Sequence, residues 1–175
     1  MVKAYLAAAA TPGFRVIALI LTVVMACVLS NQGSPLRNQH AHGIGSLELA
    51  WTGTRAKEVA DSWKSGRLNR TARWQVYLDF IFIAGYTALL VALTLVAQRG
   101  ANAAGLTCLA YFAGLGVYGA IAAGILDCLE NLGMLVMLSG CINTPLALIT
   151  SVCAFTKFAL AGLVILTGLA AFLFA

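Results

Sequence analysis

Apolar residues occur in four long runs along this 175-residue chain, and shorter polar segments separate the runs. A helix crosses a bilayer with about 20 residues, each rising about 1.5 Å. The pattern predicts four membrane-spanning helices, at about residues 14–30, 74–97, 103–138 and 145–174. None of the runs alternates with a period of two, so we expect an all-α, four-helix transmembrane bundle forming a single domain rather than a β-barrel.

Prolines mark the edges of these runs. Pro12 and Pro145 stand near the starts of the first and fourth runs, and Pro35 follows the first. Since proline is favoured in the first turn of a helix and disrupts its interior, we expect two spans to begin at these prolines, with Thr144 capping the fourth. The short link 139–143 predicts that the last two spans form a tight antiparallel hairpin.

The loop 31–73 contains one amphipathic segment. Apolar residues at positions 56, 59, 60 and 63 follow helical spacing, and charged residues occupy the opposite face. This pattern predicts a helix from about Arg55 to Ser65, ended by Gly66. The helix is either an interfacial lid held by anionic lipid headgroups or a connector that packs on the bundle. The aromatic and basic side chains expected at the membrane boundary are Trp51, Trp63, Arg70, Arg73 and Trp74.

Composition agrees with a membrane protein. Hydrophobic residues make up 61% of the chain, charged residues only 10%, and the mean hydropathy is +0.91. Soluble domains are usually about 45–50% apolar and about 25% charged. The composition therefore excludes an ordinary cytosolic domain, a disordered protein and a secreted disulfide scaffold.

The basic residues indicate an orientation. Seven of the eleven lie in the loop 31–73, whereas Lys3, Arg15 and Arg99 lie on the other side. The positive-inside rule places the loop in the cytoplasm and both termini outside the inner (plasma) membrane, although Lys3 and Arg15 count against this orientation. The loop has no base-stacking aromatic platform or reading motif, so the expected partners are membrane lipids and not nucleic acid.

Ionisable residues within the apolar runs are the candidate functional residues. They are Asp79, Asp127, Glu130 and Lys157. A charged side chain at the membrane centre costs several kcal/mol unless it is paired or hydrated. Asp127 lies about 18 Å before the hairpin and Lys157 about 20 Å after it, while Asp79 is about one turn from the same plane.

Two neutral residues complete this predicted polar site. Asn131 follows Asp127 and Glu130 at the i+4 and i+1 positions, and all three can converge on one helix face. Tyr86 shares a face with Asp79, seven residues earlier. The predicted ligand-binding set is Asp79, Tyr86, Asp127, Glu130, Asn131 and Lys157.

Three functions are compatible with such a set. The first is an intramembrane pocket that binds or transports a small ligand or a proton. The second is a structural clamp in an accessory subunit whose small-residue helix faces bind a partner or a second copy. The third is a lipid-modifying enzyme that uses a carboxylate, which is the weakest because no catalytic motif accompanies the acids.

No cofactor or metal is expected. His40 and His42 form a His-x-His pair, but no cysteine or carboxylate stands nearby at ligand spacing. A solvated pair in the loop is therefore favoured over a zinc site. The five cysteines contain no C-x-x-C pair and are expected to pack as small apolar side chains.

Three short motifs stand in successive spans: Leu-Asp-Phe at 78–80 followed by Tyr86, Asp-x-x-Glu-Asn at 127–131, and Lys-Phe at 157–158. In these motifs the chain resembles a family of small bacterial four-span integral membrane proteins of no assigned activity. The resemblance begins near Glu48 and covers about three quarters of the length. It implies a four-span fold and transfers no function.

Overall fold

The computed structural model describes residue 9 and residues 11–40 and 42–174, apart from the side chains of residues 38–40. It is 88% helical, and the described residues contain no β-strand. The all-α prediction is therefore confirmed. The helices are α1 (Pro12–His40), α2 (Gly45–Glu48), α3 (Gly53–Ser65), α4 (Asn69–Ala103), α5 (Thr107–Leu138) and α6 (Thr144–Phe174).

Four of these helices are long and apolar enough to cross a membrane. They are α1, in which the span is Pro12–Arg37, and the whole of α4, α5 and α6, with 35, 32 and 31 residues. The prediction of four spans is confirmed. Helix α4 is longer than the sequence pattern indicated, because polar residues at both of its ends continue the helix beyond the apolar run.

Helix α1 continues through Pro35, where the sequence predicted that the span would already have ended. Proline has no amide hydrogen, so the Asn31 carbonyl loses its usual intrahelical donor. The Ser34 hydroxyl donates to this carbonyl at 2.9 Å. One residue earlier, the Arg37 guanidinium donates to the Ser30 carbonyl at 3.0 Å. Neighbouring side chains thus provide hydrogen-bond donors at the proline.

The N-terminal cap of α6 differs by one residue from the prediction. Asn143, not Thr144, is the capping residue, because its Oδ1 accepts a hydrogen bond from the Leu146 amide at 2.8 Å. Thr144 is the first helical residue, and its hydroxyl accepts from the Gly53 amide at 3.3 Å. A Cβ on Gly53 would lie 2.8 Å from the Thr144 backbone nitrogen, so glycine permits α3 to begin directly against α6.

Helix α3 confirms the predicted amphipathic segment and begins two residues earlier than expected. The Thr52 hydroxyl caps it by accepting from the Arg55 amide at 3.2 Å. Its apolar face is buried, at Ala56, Val59, Ala60 and Trp63. Trp63 is fully buried, and its indole donates to the His42 carbonyl at 3.0 Å. The apolar face of α3 therefore packs on protein, as the connector interpretation expects.

The chain forms two compact units. The first comprises Met1–Val23, Ala84–Ile125 and Lys157–Ala175, and the second comprises Val24–Ile83 and Leu126–Thr156. Lys3 lies outside the described residues. The core of the second unit contains apolar residues of each of the helices α1 to α6, among them Leu36, Leu47, Trp63, Val76, Met134 and Ala147.

Within the first unit, glycines of α5 pack against polar side chains of α4. Gly114 faces Gln98, Gly116 faces Thr94, and Gly124 faces Thr87. A Cβ at any of these glycines would collide with the facing side chain, so the small residues allow close helix contact. These three positions of α5 are consequently covered by α4 inside the unit.

Candidate functional site

The centre of the candidate site is a hydrogen bond between α4 and α5 in the second unit. The Asn131 side-chain nitrogen donates to Asp79 Oδ2 at 2.8 Å. Asn131 is fully buried, and Asp79 is partly buried. The structure therefore brings together two of the residues that the sequence placed in one polar site.

Two carboxyl side chains precede Asn131 on α5. Asp127 is 3% exposed, and Glu130 is fully buried. Their spacing of three and four residues, from Asp127 to Glu130 and to Asn131, puts the three side chains on adjacent positions of one helix surface. The second unit thus contains a polar turn of α5 inside an otherwise apolar helix.

Gln75 extends the polar stripe of α4 by one turn before Asp79. It is 6% exposed, and its Nε2 donates to the Leu29 carbonyl of α1 at 3.3 Å. Gly33 lies directly beneath this amide, since a Cβ there would come within 2.6 Å of Nε2. The glycine thereby leaves room for Gln75 to reach α1.

The partners of Gln75 and Asn131 fix the orientation of both amides. The Leu29 carbonyl can only accept, and Asp79 Oδ2 accepts from Asn131, so each of them faces an NH2 group. The oxygens Gln75 Oε1 and Asn131 Oδ1 are then directed elsewhere. Both are buried and have no hydrogen-bond partner among the described residues. Such acceptors are rare in proteins and call for an explanation, such as a bound ligand or water.

These residues line a cavity of about 120 Å³. Its walls come from α1, the segment before α2, α2, α4 and α5, through Leu29, Ile44, Glu48, Gln75, Val76, Asp79, Asn131 and Met134. The polar groups are two carboxylates and two amides whose NH2 groups are already directed at Leu29 and Asp79. The cavity is therefore lined by two carboxyl groups and by two amide side chains whose oxygens have no hydrogen-bond partner among the described residues.

A hydroxyl of α6 positions the segment that contains Glu48. The fully buried Ser151 donates from Oγ to the Glu48 carbonyl at 2.8 Å and accepts from the Trp51 amide at 2.9 Å. Trp51 has a φ of 57°, a left-handed conformation that is uncommon for a bulky residue. The hydrogen bonds with Ser151 hold this turn against α6 and so fix the backbone at Glu48.

Lys157 and Tyr86 belong to the first unit. Lys157 is 7% exposed, and its ammonium group lies 5.0 Å from the centre of the Phe158 ring. Tyr86 is partly buried and packs against the apolar cluster around Leu90 and Val117. Their participation in one site with the acids of the second unit stays a prediction.

The side chains predicted at the membrane boundary differ in exposure. Trp51 and Trp74 are 41% and 52% exposed, whereas Trp63 is fully buried. Arg70 is exposed, and Arg73 is partly buried. Trp51 and Trp74 thus expose apolar surface, whereas Trp63 is part of the core of the second unit.

A larger cavity, about 420 Å³, lies in the first unit between α4 and α6. Its lining is entirely apolar, from Leu90 to Gly100 on α4 and from Val164 to Phe172 on α6. Its lining suits a hydrocarbon chain, and no side chain that lines it can act as an acid or a base. Among the described residues, no three His, Cys, Asp or Glu side chains are grouped so that they could hold a metal. The side chain of His40 lies outside the described residues.

Gln75 and Glu48 line the cavity but were not among the residues predicted for it. The signal for Gln75 was present, because it stands four residues before Asp79 and so on the same helix face. Glu48 had no such signal, because it reaches the cavity through the turn that Ser151 holds. Helical spacing can identify a residue such as Gln75, but it cannot identify a residue such as Glu48.

Comparisons with models of known protein families, with curated proteins and with solved structures found no match to this chain. The class that the fold defines is an all-helical protein with four membrane-length helices.

Proposed function

We propose that this protein binds a small organic cation with an N–H donor group, such as a protonated primary amine, in the cavity between α1, α2, α4 and α5. The observation that carries the proposal is that Gln75 and Asn131, whose buried oxygens Oε1 and Oδ1 have no hydrogen-bond partner among the described residues, both line that cavity. A protonated amine supplies several N–H donors and a positive charge.

Charge and size support the same class of ligand. The carboxylates of Glu48 and Asp79 line the cavity, and no basic side chain does. A volume of about 120 Å³ corresponds to about four water molecules at roughly 30 Å³ each. The cavity therefore suits a cation with only a few non-hydrogen atoms.

A structural clamp is the second candidate function, and the hydrogen bond between Asn131 and Asp79 favours it. Asp79→Asn separates the two, because an asparagine oxygen at position 79 can still accept from Asn131 while the negative charge is lost. A clamp predicts near-normal stability for this variant. A cation site predicts that the variant binds the cation about tenfold or more weakly.

The test is thermal unfolding of the purified protein in detergent during titration with methylammonium chloride. Tetramethylammonium chloride at equal ionic strength is the matched salt, since it carries the same charge without an N–H donor. We expect a saturable rise in Tm with methylammonium alone, because a ligand that binds only the folded state stabilises it. Equal effects of the two salts would overturn the proposal.

Three variants complete the experiment. Asp79→Asn and Glu48→Gln remove one negative charge each and should weaken the methylammonium response about tenfold or more. Glu58→Gln is the matched control, because it also removes one negative charge, at an exposed residue of α3 that does not line this cavity. A response that survives both charge variants, with Tm of the free protein unchanged, would leave the clamp as the better account.

A further inference from the structure

Two surface clefts flank Trp74 in the first turns of α4. One has a volume of about 370 Å³ and is lined by Gln32, Arg70, Thr71, Trp74 and Leu78. The other, about 360 Å³, is lined by Asn69, Arg70, Arg73, Trp74 and Tyr77. Arg70 and Trp74 belong to both clefts. They are separate from the acceptor-lined cavity, which shares none of these residues.

The positive charge of these clefts is not neutralised within the described structure. No acidic residue lines either cleft, and neither Arg70 nor Arg73 forms an ion pair with a described residue. Helix α3 is different, because Arg55 pairs with Glu58 at 2.7 Å and Lys57 pairs with Asp61. The arginines of α4 thus remain available for an external anion.

Aromatic and apolar side chains continue from the arginines along α4. Trp74 and Tyr77 pack edge to face, with ring centres 6.1 Å apart, and both are about half exposed. Ile81, one turn beyond Tyr77, is 47% exposed. Tryptophan and tyrosine concentrate at the level of lipid headgroups, with apolar residues beyond them facing the acyl chains.

We propose that the Arg70–Arg73–Trp74 clefts bind the headgroup phosphate of an anionic phospholipid. The two guanidinium groups match a phosphate in charge and in hydrogen-bonding geometry. Thr71 and Gln32 add neutral donors to one cleft. A lipid is favoured over free phosphate because the exposed apolar surface of Tyr77 and Ile81 continues from the clefts and can cover an acyl chain. This inference does not depend on the proposed function.

The test compares binding of phosphatidylglycerol and phosphatidylcholine to the full chain in detergent, by titration of each lipid. Arg70→Gln/Arg73→Gln should reduce the preference for phosphatidylglycerol about 30-fold, because each basic residue near an anionic headgroup contributes about fivefold. The control is Arg55→Gln/Lys57→Gln, which removes the same charge from cations that already have partners. It should leave the preference within about twofold of the wild type.

A second measurement tests whether bound lipid contacts Trp74. Brominated phosphatidylglycerol should quench more tryptophan fluorescence than brominated phosphatidylcholine, and Trp74→Phe should remove the difference. An unchanged preference in the α4 double variant, or an equal loss in the α3 control, would overturn the proposal. So would saturation of the clefts by millimolar inorganic phosphate without any lipid preference, which would identify a free-phosphate site.

Discussion

Asn131 of α5 donates a hydrogen bond of 2.8 Å to the carboxylate of Asp79 on α4. Hydrogen bonds between membrane helices contribute about 0.6 kcal/mol on average and up to about 1.7 kcal/mol. The bond therefore specifies how α4 meets α5 more than it stabilises the fold. Its second effect is to direct the other amide atom, Oδ1, away from Asp79.

A double-mutant cycle measures this bond. We expect Asp79→Ala and Asn131→Ala to show a coupling free energy of about 0.6–1.7 kcal/mol, because each single variant removes the same hydrogen bond. Reversible unfolding in mixed detergent micelles is the measurement. If the two variants are additive, the bond does not contribute to stability, and the clamp function is excluded.

Ser151→Ala should destabilise the protein by about 1–3 kcal/mol. The substitution removes the hydroxyl that bonds both the Glu48 carbonyl and the Trp51 amide, and unpaired backbone groups are costly. It also releases the turn that carries Glu48 beside the acceptor-lined cavity. Unfolding free energy and the methylammonium response should therefore both decrease.

Thr167→Ala is the control for Ser151→Ala. The Thr167 hydroxyl donates to the Leu163 carbonyl within the same helix, at 2.8 Å. We expect a change below about 0.5 kcal/mol, since no other element depends on this bond. Equal losses in the two variants would indicate that the contacts of Ser151 with the turn are not important.

Periodicity along single helices explains how much of the site could be predicted. The positions of Asp127, Glu130 and Asn131 follow from helical spacing, and the length of the hairpin sets their depth relative to other spans. The pairing of Asp79 with Asn131 required only that the two helices pack side by side. The same spacing also marks Gln75, one turn before Asp79.

The other features of the fold and the site could not be predicted, because they depend on contacts between segments distant in sequence. Glu48 lines the cavity because Ser151, more than 100 residues away, holds its backbone. Helix α1 passes through Pro35 because the Ser34 hydroxyl bonds the carbonyl that proline leaves without its donor. Neither contact has a periodic signature, so sequence reasoning ended α1 too early and missed one wall of the cavity.

Acidification should weaken α3. The hydrogen bond and charge of Arg55 lower the pKa of Glu58, and the hydrogen bond from Lys57 lowers the pKa of Asp61. A carboxyl whose pKa is lowered by folding stabilises the folded state above its unfolded pKa. That contribution disappears as the pH falls through the folded pKa. We therefore expect part of the decrease in Tm below about pH 5 to come from these two groups.

The variant that tests this prediction is Glu58→Gln/Asp61→Asn. It cannot lose these ion pairs on acidification, so its Tm should fall less than that of the wild type between pH 7 and pH 3. The effect should be small, because both carboxyls are exposed and such pairs are screened by solvent. If Tm falls equally with pH in the two proteins, other titratable groups control the loss of stability in acid.

The contact between α5 and α6 near their hairpin depends on Gly133. Its missing Cβ leaves space for the Thr150 side chain, whose hydroxyl is bonded to the Leu146 carbonyl at 2.9 Å. Gly133→Ala should therefore cost about 1–3 kcal/mol through overpacking.

Gly162→Ala is the matched control for Gly133→Ala, because a Cβ at position 162 has no neighbour within 4 Å. It should stabilise α6 by about 0.5–1 kcal/mol, since alanine loses less backbone entropy than glycine in a helix. The two alanine variants should thus shift the unfolding free energy in opposite directions. A stabilising Gly133→Ala would mean that α5 and α6 do not approach as closely as this glycine allows.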